Sequence, residues 1–302
     1  MIGFDATSLY ESGLTRYNAR LPQGIRFLNL IAIGGAGKGT QTQMIVSERP
    51  ELGIYVSSDA LRAYLPTISS IKTREEVAFK MDKGFLVEDE HVLNAFELQV
   101  PYMRKNIEDK VKSGYILDGL NRTAHQVGEV AAHIRNDFGN HRKPFDITTV
   151  IDVSNDISLE RMTYRGIIDL LKKGAKSLRS DTLHPDKRII LYRENERSLL
   201  QAVQEQSAKL VRVNGNYHPL AVAYEMRRRI ANPDLSSDEL SKDQFYQQLV
   251  ARPSQNPQLL VEELKQTSPH MSDMMTLSAL RQLEEILENK AQILEDIQKK
   301  TA

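Results

Sequence analysis

The stretch FLNLIAIGGAGKGTQ, residues 27–41, predicts where the fold begins. Residues 27–33 are mostly apolar, which is typical of a strand buried on both faces of a sheet. A glycine-rich loop follows and carries Lys38 and Thr40 where a helix is expected to start. Glycines let backbone N–H groups approach phosphate oxygens, and a helix N-terminus adds positive potential. The stretch therefore predicts a phosphate-binding loop between a strand and a helix.

The loop departs from the general P-loop pattern at one position. That pattern places a glycine five residues before its final Gly-Lys pair, where this chain has Ala32. An ordinary glycine turn is the alternative interpretation. The position of the loop between a strand and a helix favours phosphate binding.

Five β-rich runs recur along the chain, separated by segments of helix length. They lie at residues 27–33, 54–56, 115–117, 147–153 and 210–213. One intervening segment shows helical spacing of its apolar residues: Val92, Ala95, Phe96, Val100, Met103 and Ile107. Strands that alternate with helices predict βαβ units and a parallel sheet.

Composition excludes several classes of protein. The 302 residues include 40 Lys and Arg, 40 Asp and Glu and no Cys. Zero net charge argues against a nucleic-acid partner, and the missing cysteines exclude disulfides, thiol nucleophiles and cysteine metal sites. No apolar run is long enough for a membrane span, and the first residues lack the pattern of a secretory signal. We therefore expect no membrane partner and a cytoplasmic location, with export by a non-classical signal left open.

Charge is uneven along the chain. Residues 161–229 contain 15 Lys and Arg against 7 Asp and Glu, a local excess of +8. A solvated basic face is the simpler interpretation, and a pocket for a polyphosphate is the alternative.

Eight motifs in order resemble the adenylate kinase family over about 200 residues. They are IGGAGKGTQ (33–41), SSDALR (57–62), GFLVED (84–89), GYILDGLNRT (114–123), Gln126, Arg161 with Arg165, RIILY (188–192) and VNG (213–215). The resemblance implies a three-layer α/β P-loop kinase with five parallel strands and two mobile inserts. It departs from the family at Ser58, where the family has Gly, and at Asn121, where the family has Pro.

The resemblance also implies a domain organisation. Residues 27–232 form the kinase core, with an insert for the monophosphate at about 57–87 and a lid at about 164–186. Residues 1–26 are an N-terminal extension and residues 233–302 a helical C-terminal extension. The last helix, near residues 275–299, places Leu280, Leu283, Leu287, Leu294 and Ile297 on one seam, interrupted by Lys290. That seam packs either on the chain's own core or on a partner.

The resemblance implies phosphoryl transfer from ATP·Mg²⁺ to AMP and assigns roles to particular residues. The catalytic set is Lys38, Arg122, Arg165, Arg179 and Arg188. The ATP site comprises Gly35, Ala36, Gly37, Lys38, Gly39, Thr40, Gln41, Arg161, Arg165 and Gly215. The AMP site comprises Ser57, Asp59, Arg62, Leu86, Val87, Gly119, Arg122, Gln126, Arg179 and Arg188. Thr40 and Asp118 would hold the cofactor Mg²⁺, Asp118 through water. Two alternatives stay open: a kinase for another nucleoside monophosphate, and a nucleotide-binding or catalytically dead regulatory protein that acts through its tails.

Overall fold

A computed structural model describes residues 20–83, 85–139, 143–174, 180–251 and 257–301. Its centre is a sheet of five parallel strands in the order β2-β3-β1-β4-β5. The strands are β1 (Phe27–Ala32), β2 (Leu52–Val56), β3 (Gly114–Asp118), β4 (Phe145–Asp152) and β5 (Ser207–Asn214). The predicted parallel sheet is confirmed. Ile33 and Val153, predicted as strand ends, lie one residue beyond β1 and β4.

Helices cover both faces of the sheet. Those of the first 231 residues are α1 (Lys38–Glu48), α2 (Ser57–Tyr64), α3 (Ile71–Lys83), α4 (Asp89–Glu108), α5 (Ala124–Phe138), α6 (Asn155–Lys173), α7 (Pro185–Gln206) and α8 (Pro219–Ala231). Short 3₁₀ turns lie at Leu65–Thr67 and Ser180–Leu183. The turn at Ser180–Leu183 lies beside α3, so the two segments predicted as mobile inserts meet each other.

Two apolar cores lie on opposite faces of the sheet, because side chains alternate along a strand. On one face, Phe27 and Ile31 of β1 pack against α4, α5 and α7. On the other, Leu28 and Leu30 pack against α1, α6 and α8. The buried residues of α4 are those that the helical spacing predicts: Val92, Ala95, Phe96, Val100 and Met103. This is the three-layer α/β architecture of a P-loop kinase.

Two short helices, α9 (Ser237–Ser241) and α10 (Gln244–Val250), pack on α8. Asp243 accepts a hydrogen bond from Tyr224 Oη at 2.9 Å and pairs with Arg228 at 2.5 Å. These contacts cross the domain boundary predicted near residue 232, which stays a prediction.

Three further helices fold back onto the core: α11 (Pro257–Thr267), α12 (Met274–Glu288) and α13 (Lys290–Thr301). The first two contact α6, and α13 contacts α7. Leu280, Leu283 and Ile297 of the predicted seam are buried. The contacts of these side chains are therefore with the chain's own core.

The single helix predicted near residues 275–299 is wrong, because the helix is interrupted at Asn289. Asn289 has φ −89° and ψ 13°, and its N–H ends α12 by donating to the carbonyl groups of Glu285 and Leu287. Lys290 then pairs with Glu160 of α6 at 2.6 Å. The lysine that interrupts the seam therefore lies at the turn between two helices.

Packing of α12 on α6 predicts a stability effect. Leu283 is fully buried against Ile167 and Leu170. Leu283→Ala should lower the free energy of unfolding by about 2–5 kcal/mol, because it leaves a cavity in an apolar cluster. Urea titration would measure this. The control is Leu259→Ala, since Leu259 is 70% exposed and its truncation should change stability by no more than about 0.5 kcal/mol. Equal small losses in both variants would contradict the packing.

Candidate functional site

The glycine-rich loop forms a tight turn between β1 and α1. Gly35 and Gly37 have φ angles of 74° and 86°, which side chains other than glycine rarely adopt. A Cβ atom on Gly35 would also lie 2.7 Å from the carbonyl oxygen of Ser158. Along α1, all of which the structure describes, no side chain caps the N-terminus and no acidic residue stands in the first turn. Such a helix end is a ready binding place for an anion.

Lys38 lies at this helix end and folds back onto the strand before it. Its Nζ donates to the carbonyl oxygen of Ala32 at 2.9 Å. Burial lowers the pKa of Lys38 to about 8; Asp118 opposes that change, and Arg122, Arg188 and Arg165 reinforce it. The surroundings of Lys38 therefore carry an excess of positive charge that a bound anion would compensate.

A cleft opens at the carboxyl ends of β1 and β3. Five of the predicted site residues line it: Lys38, Leu86, Gly119, Arg122 and Arg188. They come from the loop after β1, the loop before α4, the turn after β3 and the first turn of α7. Ligands of open α/β sheets bind at this edge of the sheet.

Sequence reasoning assigned no role to two polar residues of this cleft, Tyr192 and Asn121. Tyr192 lines it one helical turn after Arg188, and the i, i+4 spacing could have indicated this. Asn121 also lines it. The sequence analysis identifies Asn121 only as a departure from the family's proline and predicts no role for it.

The predicted monophosphate residues on α2 lie apart from the lining of this cleft. Arg62 Nη1 pairs with Asp59 at 2.7 Å, and both side chains are exposed. Ser57 and Val87 are buried. A phosphate group would have to compete with Asp59 for the guanidinium of Arg62.

Gln126 is buried, and both ends of its amide are engaged. Nε2 donates to Asp89 Oδ1 at 2.8 Å, and Oε1 accepts from the backbone N–H of Arg122 at 2.9 Å. Asp89 also accepts from Thr123 Oγ1 at 2.9 Å. Gln126 therefore holds the backbone of Arg122 in place, which leaves one N–H and one oxygen lone pair of its amide for another partner.

The predicted ATP residues lie in the glycine-rich loop, on the first turn of α1, on α6 and after β5. Arg161 donates to the carbonyl oxygens of Gly215 at 2.7 Å and of Asn216 and Tyr217 at 3.2 Å. Ala36, Gln41 and Gly215 are buried, whereas Gly39 and Thr40 are exposed on the first turn of α1. Arg161 thus ties α6 to the loop that follows β5.

Two lid arginines complete the predicted set. Arg165 is exposed on α6, near enough to Lys38 to lower its pKa. Arg179 lies outside the described residues, so its role stays a prediction.

The donor set predicted for Mg²⁺ consists of a hydroxyl and a carboxylate. Asp118 ends β3, and its Oδ2 accepts from Thr42 Oγ1 of α1 at 3.4 Å. Within the described ranges, no group of three or more His, Asp or Glu side chains forms a metal cluster. Oxygen ligands suit Mg²⁺, which keeps several waters and takes the rest of its ligands from substrate phosphates. Thr40 and Asp118 fit that pattern.

Known proteins with similar sequences share one description. The chain is 35% identical over 145 residues to adenylate kinase from Listeria monocytogenes serotype 4b, which covers 46% of this chain and 59% of that protein. It is 33% identical over 143 residues to adenylate kinase from Clostridium botulinum, and 31% over 144 residues to that from Erythrobacter litoralis. The chain is therefore similar to adenylate kinases over somewhat less than half of its length. It spans about three fifths of the length of these relatives.

Neither a matching family model nor, in the part of the chain that the structure describes, a membrane span is found. No protein-family model matches the chain. Among the described residues, no helix combines the length and apolar character that a membrane span requires.

The lowered pKa of Lys38 predicts a pH dependence of nucleotide binding. A bound phosphate favours the charged ammonium, so below pH 8 the free protein already carries the proton that the complex needs. Above pH 8 the free protein has lost that proton, and the affinity for ATP should fall up to tenfold per pH unit. Calorimetric titration with ATP from pH 6.5 to 9.5 would measure this.

The control for this pH dependence is Lys38→Met, which has no ammonium group at this position. Its affinity for ATP should be lower than that of the wild type and should not show the fall above pH 8 that Lys38 causes. If wild-type affinity is the same at pH 7 and pH 9, the environment assigned to Lys38 is wrong.

Proposed function

We propose that the chain is a nucleoside monophosphate kinase that transfers the γ-phosphoryl group of ATP to AMP, giving two ADP. The observation that carries this proposal is the cleft itself: Lys38, Arg122 and Arg188 line one space beside the uncapped N-terminus of α1. The similarity to adenylate kinases supports the same reaction.

Phosphoryl transfer needs positioning and charge neutralisation more than it needs covalent catalysis. The loop after β1 would hold the donor's phosphates through backbone N–H groups, and Lys38 would turn from Ala32 to a phosphate oxygen. Arg122 and Arg188 approach from other elements and would neutralise the acceptor and the transferring group. Arginine suits this role because its planar guanidinium can bind two phosphate oxygens at once. Arg165 and Arg179 would join them from the lid.

Magnesium would be held by Thr40 and by Asp118 through water. When bound, it supplies positive charge that neutralises the phosphate oxygens and fixes their geometry. Asp118 also favours the charged form of Lys38 and so keeps that side chain ready for an anion. The reaction does not require a general base, and we assign none.

The kinase proposal predicts the effect of removing the loop lysine. Lys38→Ala should lower kcat at least a hundredfold, because a preorganised charge is lost where negative charge is transferred. A coupled assay of ADP formation from ATP and AMP would measure it. Lys72→Ala is the matched control, since the Lys72 side chain is 87% exposed, and it should keep wild-type turnover. If the wild-type protein transfers phosphate to none of AMP, CMP, UMP and GMP, the kinase proposal fails and the regulatory alternative is favoured.

Acceptor choice provides a second test. We propose that the Gln126 amide pairs with the edge of adenine. It should then favour AMP over CMP and UMP, because the other bases leave the hydrogen bonds of this amide unmade. Gln126→Ala should therefore lower the ratio of kcat/KM for AMP to that for CMP. If turnover with every acceptor falls while the ratio stays constant, Gln126 acts only through the backbone of Arg122. Equal wild-type rates with AMP, CMP and UMP would favour the alternative of a broader monophosphate kinase.

A further inference from the structure

Four polar side chains form a hydrogen-bonded line across the buried sheet. Asn121 Nδ2 donates to Asn29 Oδ1 at 3.0 Å, and Asn29 Nδ2 donates to Thr148 Oγ1 at 3.4 Å. Thr148 Oγ1 lies 2.5 Å from Ser207 Oγ. These residues come from the turn after β3 and from β1, β4 and β5, and none is more than 6% exposed. The line is continuous from the turn after β3 to β5.

The line ends in the cleft. Asn121 is 5% exposed, and its Oδ1 has no hydrogen-bond partner among the residues that the structure describes. The same residue lines the cleft together with Lys38, Arg122 and Arg188. A buried polar atom without a partner loses its hydration without compensation, so a ligand that supplies the partner gains affinity.

The hydroxyl end of the line allows two directions of hydrogen bonding. Either Thr148 or Ser207 can donate in the bond between them. If Thr148 donates toward Asn29 and both amides rotate by half a turn, Asn29 donates to Asn121, and the unpaired atom of the Asn121 amide becomes an N–H donor. The line can therefore end in an unpaired oxygen or in an unpaired N–H donor, and only the second suits an anion.

We propose that Asn121 donates an N–H to a phosphate oxygen held between Lys38, Arg122 and Arg188, and that Asn29 orients it. The three cations make phosphate the ligand chemistry that fits. The identity of the two nucleotides rests on the proposed function, but the contact between Asn121 and a phosphate does not.

Two substitutions test the contact. Asn121→Ala removes the donor and should lower kcat for ADP formation about tenfold or more. Asn121→Asp keeps the shape but replaces the donor by a carboxylate that repels phosphate, so its kcat should fall further. Thermal unfolding checks that each variant folds; where the aspartate variant does not, the alanine variant decides. Wild-type kcat and KM in a folded variant would overturn the proposal.

The orienting role has a matched pair of controls on one strand. Thr148 and Thr149 are neighbouring, fully buried threonines of β4, but Thr149 Oγ1 has no hydrogen-bond partner among the described residues. Thr148→Val should lower kcat, and Thr149→Val should leave it unchanged. Added to Asn121→Ala, Thr148→Val should cause no further loss, since the two act through one contact. A further loss in the double variant would mean that Thr148 has a merely structural role and would overturn the orienting line.

Equilibrium binding separates failure of this contact from failure of the kinase proposal. If the wild-type protein binds ATP but transfers no phosphate, the kinase proposal fails. Calorimetric titration with ATP can still test the contact between Asn121 and a phosphate oxygen. Asn121→Asp should then weaken ATP binding at least tenfold while adenosine, which has no phosphate, binds as to wild type. Equal loss for ATP and adenosine, or no loss for either, would overturn the contact.

Discussion

The attachment of the glycine-rich loop to α6 is the constraint on which the site depends. Ser158 Oγ donates to the carbonyl oxygen of Gly34 at 2.7 Å, and the backbone of Ser158 lies too close to Gly35 for any side chain there. Met162, one turn later, packs against Gly34. Backbone N–H groups that are to bind a ligand cannot also anchor the loop to the rest of the protein. The loop is anchored instead by the carbonyl group of Gly34 and by its close packing against α6. Arg161 of the same helix then ties in the loop after β5.

Several features of the fold could be predicted because they depend on local sequence. Buried parallel strands are apolar runs in the sequence, and left-handed turns favour glycine. The five strands and the loop at Gly35 and Gly37 could therefore be predicted from the sequence alone. The break at Asn289 could not be predicted in this way. Lys290, which begins the next helix, meets Glu160 from 130 residues away only in the folded chain.

The polar line from Asn121 to Ser207 was hidden for a similar reason. Its members are neighbours only because β1 lies between β3 and β4 in the sheet, a strand order that apolar runs do not specify. Gln126 shows the opposite case. Its position was found from the motif, but its engagement by Asp89 and Arg122 depends on how α4 and α5 pack. Motifs locate residues, whereas hydrogen-bond partners follow from topology.

The positive excess between residues 161 and 229 also changes its meaning in the folded chain. Most of the paired arginines in this segment meet carboxylates away from the cleft: Arg193 with Glu196, Arg212 with Asp152, Arg227 with Glu48, Arg228 with Asp243 and Arg229 with Glu225. Arg165 and Arg188 act on Lys38. The excess is therefore neither a uniformly solvated face nor a single phosphate pocket. Helix α6 contacts both parts of the chain, because Arg161 bonds to the loop after β5, whereas Glu160 and Ile167 contact the C-terminal helices. None of the described residues of those C-terminal helices lines the cleft.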